Sequence, residues 1–436
     1  MAAYGVWQRY FRIRKEASFN AASPGSRSDW NHGAGGAATG WFDLPVIKDS
    51  DGLQPKSTII YPGTMAGTRA MNPALPVAGA YPTELGNLEM PYYPEMCDRL
   101  LQAVFGGVAR TETAGSAALA STAYGSLATL TAQPTGDEQL KFVIASSTAA
   151  SAAIISIIEG STTVETITIG TSVATVDGAY YSKGGWGAGG TITFSIAGTV
   201  SSGMVVVSGI KSVSTVHSVA TTTPTFVIEQ GGRKESDANS EFLSGVVIPT
   251  IVLSYDRSAP DSMLMLNATA QGIYGTATTP TTYGNEAAKF YQPFAAWTGN
   301  ASVDGSAWAE VVSAQITIQP NTQLYAVSSG SQNPSAKVEG EMEVFGTMTI
   351  IPAASTRWTD YRASTVRNVE LEFLTPFFVN GATPYRLFLE MTQCTFSDYT
   401  RNRQNQAQGA ELGFRAIYNT TDGGPAKVTS VCRLPL

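Results

Sequence analysis

Charge is scarce in this 436-residue chain: Asp, Glu, Lys and Arg together make up 14% of it, against about a quarter in an ordinary globular domain. Its polar surface must therefore come from Ser, Thr, Asn and Gln. The 27 basic residues are outnumbered by 34 acidic ones, for a formal net charge of −7. That balance argues against a protein that grips nucleic acid by neutralising phosphates. Cysteine is as sparse. Cys97, Cys394 and Cys432 are odd in number and far apart, so they frame neither a disulfide scaffold nor a CxxC metal site. The only histidines are His32 and His217, and neither has a partner at metal-ligand spacing.

Motifs of catalysis are missing too. There is no Gly-x-Ser-x-Gly nucleophile elbow. The glycine-rich run Asn31-His-Gly-Ala-Gly-Gly-Ala-Ala-Thr-Gly40 lacks the Gly-Lys-Ser/Thr ending of a phosphate loop and suits a loop between subunits. Lys48-Asp-Ser-Asp-Gly52 has no glutamate at EF-hand distance and reads as a turn. Glu370 and Glu372 alternate on one strand, which points to solvent or a neighbouring subunit rather than a glycosidic bond. An enzyme is not expected, and no cofactor or metal.

The least polar window, 142–158, carries Ser146, Ser147, Thr148, Ser151 and Ser156, too many hydroxyls for a lipid-facing helix. Arg9, Arg12, Arg14 and Lys15 lead into no apolar signal-peptide core. The expectation is a chain made in a cytoplasm that stays there or leaves within a particle. What is present is ample apolar material, 43% of the chain, and 43 Gly without a three-residue period, which excludes collagen and wholesale disorder.

Composition divides the chain. Residues 111–225 hold nine charges in 115 positions, against 52 in the other 321. Thr191-Ile-Thr-Phe-Ser-Ile-Ala197 alternates strictly, with Ile192, Phe194 and Ile196 on one side. Residues 164–169 and 204–207 read as further strands, and 181–190 as a loop. This spacing predicts an immunoglobulin-like β-sandwich over 111–225, inserted into a host domain through Ala/Ser/Thr linkers at 111–124 and 212–225.

With the insert set aside, the flanks match. The first reads as a strand at 57–64, an Asn72-Pro73 loop, a strand at 84–90 and a helix at 94–105. Strands at 226–230, 245–255 and 263–274 follow the insert. The second reads as a strand at 311–319, an Asn333-Pro334 loop, a strand at 337–350 and a helix at 355–367, then strands at 369–378, 385–397 and 410–418. From Asn333 to Ser397 is 64 residues and from Asn72 to Ser254 is 182; the difference of 118 is close to the length of the insert. A mainly β fold is expected: two β-sandwich/barrel units, each with one helix, related by duplication. The first unit comprises 1–110 and 226–290, and the second 291–436.

The order of these elements resembles the tail tube proteins of long-tailed, non-contractile bacteriophages. The resemblance is carried by Pro94-Glu-Met-Cys-Asp-Arg-Leu-Leu-Gln-Ala-Val-Phe-Gly-Gly107, Phe226-Val-Ile-Glu-Gln-Gly-Gly232, Phe242-Leu-Ser-Gly-Val-Val-Ile-Pro-Thr-Ile-Val-Leu-Ser254, and Tyr291-Gln-Pro-Phe-Ala-Ala-Trp297 leading into Val303-Asp-Gly305. It implies a structural virion protein whose rings stack into a tail tube that conducts the genome into a host cell. Two units per chain imply three chains per ring with pseudo-six-fold symmetry, six chains being the other possibility. Implied partners are further copies, a tape measure protein, and tail terminator and tip proteins. DNA would pass through the lumen without specific binding, and no membrane is involved.

A lumen needs strands that are polar on the inside and apolar toward a supporting layer. Lys337-Val-Glu-Gly-Glu-Met-Glu-Val-Phe345 puts Glu339, Glu341 and Glu343 on one face. Gln315 and Thr317 alternate with Ile316 and Ile318, and Asn87 and Glu89 with Leu88 and Met90. These are the candidate lumen residues, where negative charge would keep a phosphate backbone from sticking; a solvated outer face gives the same alternation. Phe11, Arg12, Ile13 and Arg14 form a candidate arm adding a strand to the adjacent ring, or an ordinary first strand. Cys97 reads as a buried helix thiol, and Trp297, Trp308 and Trp358 as subunit anchors or core. The competing function is a carbohydrate- or cell-surface-binding β-protein, such as an adhesin or receptor-binding component, presenting Tyr180, Tyr181 and Trp186.

Overall fold

The computed structural model describes residues 10–16, 42–47, 59–60, 77–78, 83–123, 128–129, 139–146, 151–169, 178–181, 191–199, 203–231, 241–259, 261–276, 293–325, 334–352, 356–380, 383–404 and 407–432. Antiparallel strands dominate these residues. In the first part of the chain they are β1 (Tyr10–Lys15), β2 (Thr83–Pro91), the helix α1 (Pro94–Phe105), β3 (Gly106–Ala123), β4 (Gly203–Val219), β5 (Phe226–Gly231), β6 (Glu241–Asp256) and β7 (Met265–Thr276). The second part has β8 (Gly299–Val303), β9 (Val311–Gln319), β10 (Glu343–Ile350), the helix α2 (Thr356–Arg362), β11 (Arg367–Asn380), β12 (Thr383–Gln404), β13 (Ala407–Ala416) and β14 (Lys427–Cys432).

The two parts pair their strands in the same order. The first runs β1–β5–β6–β7–β2 and the second β8–β11–β12–β13–β10, every contact antiparallel. In each, the helix lies between the last and the second strand of that series in chain order. Strand β9 joins them, pairing β6 over residues 251–256 on one edge and β10 on the other. The result is a continuous seven-stranded run, β2–β7–β6–β9–β10–β13–β12.

Alternation decides which side of that run is dry. Leu88, Met90, Leu266, Ala268, Ile251, Leu253, Ile316, Ile318, Val344, Met348, Leu412 and Phe414 are all buried in one core cluster. Helix α1 packs there. Pro94 starts it, where a missing N–H costs nothing, and Gly106 ends it at φ 79, a conformation that a Cβ would strain. Its Leu100, Leu101, Val104 and Phe105 are at most 1% exposed, each worth about 1.5–3 kcal/mol of burial.

Between α1 and β5 the structure departs from the expected linkers. Residues 106–123 and 203–219 form a two-stranded ribbon, paired from Gly106–Val219 out to Ala123–Met204 with three shifts of register beyond Thr113–Ser212. At its base, β4 also pairs β14, Val213–Cys432 to His217–Val428, and β14 in turn pairs β12. The stem of the insert, which its Ala/Ser/Thr composition marks as linker, is thus a structural strand of the body, with the alternating Val213, Thr215 and His217 buried. Farther out, β4 pairs the strand Gln139–Ser146, which pairs Gly178–Tyr181. A separate sheet orders Thr162–Ile169, Ser151–Glu159, Ile192–Thr199 and Ala128–Thr129. Among the described residues the insert thus comprises strands that extend the main sheet and one separate four-stranded antiparallel sheet. Of the apolar window at 142–158, the described residues fall in two different strands, and among the described residues no helix is long and apolar enough to cross a membrane.

Candidate functional site

The wet side of the seven-stranded run is the most extended polar surface that the ladders define. Directly opposed residues on antiparallel strands share a face, so the registers give it row by row. One row reads Glu89, Asn267, Val252, Thr317, Phe345, Arg415 and Thr395. The next holds Met265, Ser254, Gln315, Thr347, Gly413 and Asp398. A third holds Asp256, Ser313, Thr349, Glu411 and Thr400. Above the first lie Thr269, Thr250, Gln319 and Glu343, where Gln319 Nε2 donates to Thr250 Oγ1 at 3.3 Å. Apolar side chains are few here: Met265, Val252 and Phe345, each half-buried.

Ionised groups on this face are lopsided. Glu89, Asp256, Glu343, Asp398 and Glu411 stand against Arg415, which reaches Glu343 at 2.5 Å. That pair is substantially exposed and contributes little to stability. The face as a whole carries net negative charge among hydroxyls and amides, and Gln315, Thr347, Asp398 and Glu411 are exposed.

Of the residues singled out from sequence, Gln315, Thr317, Glu89 and Glu343 lie on this face. Asn87 belongs to β2, but its side chain lies outside the described residues. Glu339 and Glu341 do not join Glu343. The expected strand over 337–350 is broken into Ala336–Val338 and β10, because Gly340 packs directly on Asn321, whose carbonyl a Cβ would strike. Glu339 instead closes a knot. Its carboxylate accepts from Thr223 N at 2.9 Å, Thr322 Oγ1 at 2.8 Å and Lys337 Nζ at 2.5 Å. Burial works to raise its pKa, but the hydrogen bonds from Lys337, Thr223 and Thr322 prevail and lower it. Glu341 is exposed beside this knot, its carbonyl accepting from Asn321 Nδ2 at 2.7 Å.

The candidate arm is likewise relocated. β1 pairs β5 and the short strand Phe42–Asp43 of its own chain. Phe11 and Ile13 are 5% and 0% exposed in the core, and Arg12 is buried 3.9 Å from Glu229. An alternating apolar strand is held by the nearest core, and here that is the unit it begins; Arg14's side chain lies outside the described residues. The glycine-rich run 31–40 and the aromatics Trp186 and His32 also lie outside them. Trp308 is buried against Phe396 and Arg357, Trp358 packs on Tyr361 and Tyr399, and Trp297 is 62% exposed.

One constellation escaped the sequence reading because its members are 332 residues apart. Asp98 accepts from Tyr92 Oη at 2.8 Å and from Ser430 Oγ, with His217 Nε2 3.7 Å from the same oxygen that Ser430 reaches. Ser, His and Asp converge, yet neither imidazole nitrogen makes a hydrogen bond, so no base is aimed at the hydroxyl as nucleophile activation requires. All three are at most 1% exposed. The group is a core node fastening α1, the insert stem and β14 together. Cys97 and Cys432 are buried in the same core, burial raising the Cys97 thiol pKa. Among the described residues no cluster of three or more His, Cys, Asp or Glu is placed to hold a metal ion.

Compared with known proteins, the chain matches no protein-family model and no curated sequence.

Proposed function

We propose that this protein is a structural virion component that polymerises as stacked rings into a phage tail tube, with the polar seven-stranded face lining the channel for genome delivery. The observation that carries this reading is the continuity of that face across both units: polar and net negative on one side, buried on the other. A passing phosphate backbone is repelled by such a wall only within about 8 Å at physiological salt. That keeps DNA from sticking without steering it, and no chemistry on the DNA is involved.

The edges of the run support a ring of copies. β6 is covered over 251–256 by β9, whereas among the described residues nothing pairs the matching edge of β12 over 395–404. At the other end β10 has β9 beside it, while β2 pairs β7 on one edge and on the other meets Ile47, whose N–H donates to the Glu89 carbonyl at 2.9 Å. Of the strand expected at 57–64 the described Ile59–Ile60 pairs Val77–Ala78, and the proposed ring contact joins the β2 end of one copy to the open edge of β12 in the next. Such head-to-tail contacts generate closed rings when the rotation closes. The matching pairing order of the two units supports three chains per ring with pseudo-six-fold symmetry. The insert, on its ribbon beyond α1, stands outside the tube, where contact with carbohydrate or a cell surface is its proposed role. Tape measure, terminator and tip proteins are the proposed further partners.

Substituted cysteines test the reading. The native thiols are buried, so Gln315→Cys and Glu411→Cys report alone. In assembled particles they are expected to react with a small maleimide but not with one on a bulky polymer, while a cysteine at Ser161 on the insert reacts with both. Equal access of the bulky reagent to Gln315→Cys and Ser161→Cys would contradict a channel-lining position.

A further inference from the structure

The seam between the two units of one chain is a template for the contact between chains. Placing the row Leu88–Ala268–Ile251 on the row Met348–Leu412–Tyr399 sets Gly86 on Gly346 and Ile273-Tyr274 on Ile417-Tyr418. Thr250 then answers to Asp398, Gln271 to Arg415 and Ile273 to Ile417. In the first unit these positions meet the second. Beyond β9 the chain forms a short ribbon, Gln323–Tyr325 paired with Ala336–Val338, whose first strand faces the β6–β7 pair. Between them is a cleft of about 350 Å³, lined by Thr250, Gln271 and Gly272 from the first unit and Asn321, Gln323 and Leu324 from the second. Thr250 and Gln271 are half-buried, and Ile273, next to Gly272, is 7% exposed.

In the second unit the same positions are bare. Asp398 and Arg415 are exposed, Ile417 is 42% exposed and Tyr418 beside it 67%. An aromatic and a branched aliphatic side by side are what the centre of an interface favours. The chain also carries a second ribbon, Ile59–Ile60 paired with Val77–Ala78. Ala78 precedes the start of β2 by five positions, as Val338 precedes the start of β10 by five. All four of its residues are apolar. β10 neighbours the first unit through β9. β2 instead begins the seven-stranded run, so the surface that corresponds for its ribbon belongs to another copy.

We infer that the Ile59–Ile60/Val77–Ala78 ribbon of one copy seats on the Ile417-Tyr418 patch of its neighbour in the ring, as the second unit's ribbon seats on the first unit within each chain. The inference rests on the ring reading and names the patch that the ring contact covers. Ribbon and patch lie toward opposite ends of one run of strands, so every copy offers one of each. The contact is therefore head-to-tail.

Charge placed on the patch tests it. Ile417→Asp with Tyr418→Asp alters exposed side chains only. It is expected to keep the melting temperature while raising the concentration needed for rings, by sedimentation velocity, about tenfold or more. Ile59→Asp with Ile60→Asp is expected to do the same from the other side. Mixing the two variants is the sharper readout. Each pair can then form one sound contact, so the mixture is expected to give one-to-one dimers and no rings. Neither a folding defect nor a self-complementary contact would produce that. Rings from the patch variant at the unmodified protein's concentration overturn the seating and leave the ring standing. Absence of rings from the unmodified protein overturns the ring reading and the seating with it.

Discussion

Helices α1 and α2 each carry a buried aspartate as their fifth residue, Asp98 and Asp360, and use it differently. Asp360 is 3% exposed and closes a local circuit: Arg357 donates to it at 2.9 Å and Arg367 at 2.5 Å. Arg367 also reaches Asp304 at 2.8 Å. Asp98 has hydroxyl donors, Tyr92 and Ser430, with His217 alongside, and two of these partners lie far along the chain. Where the helix leads directly to the second strand of its series, as α2 does to β11, arginines near in sequence neutralise the carboxylate. Where 120 residues intervene after α1, the same position fastens the returning stem and the final strand.

The sharpest way to break that contrast is to remove the stem. Excising 111–225 takes away His217 and the strand between β3 and β14, and is expected to yield no soluble folded protein. Joining Thr113 to Ser212 through Asn-Gly, which suits a two-residue hairpin, keeps the node and is expected to melt as a folded domain. Next in size, Asp98→Ala strands two buried hydroxyls and is expected to cost about 3–5 kcal/mol in urea unfolding. Asp360→Ala leaves arginines that reach water, and is expected to cost about 1–2 kcal/mol, below the full value of hydrogen bonds to a charged group. A larger loss at Asp360 than at Asp98 would invert the comparison.

The smallest effect concerns the knot that ties the second unit to the stem's end. Glu339 has a pKa held below its ordinary 4.5, so its contribution is complete above that value and is lost as pH falls through the lowered one. Glu339→Gln is expected to cost about 1 kcal/mol at neutral pH, and the gap from the unmodified protein to shrink steadily below about pH 4.5. A gap that stays constant to pH 3 would mean that the carboxylate's charge is irrelevant to the knot.

Much of this was legible in the sequence. Period-two alternation located β9 to the residue, and Pro94 with the Phe105-Gly106 pair located the helix of the first unit at its true bounds. The polar face was half legible: Glu411, Gly413 and Arg415 alternate with buried Leu412 and Phe414 as plainly as Gln315 does with Ile316. The acidic run at 337–345 misled, since a glycine pressed on Asn321 breaks a strand whose alternation looked perfect. The node at Asp98 was invisible. Its members contact one another only through tertiary folding, and no local spacing encodes a partner 332 residues away.

The most direct test of the channel is end-on electron microscopy of the purified, concentrated protein. The account predicts hollow rings or tubes whose wall has six lobes built by three chains, with three outer densities from the inserts. Monodisperse single chains at every concentration, or assemblies with a solid centre, would contradict it.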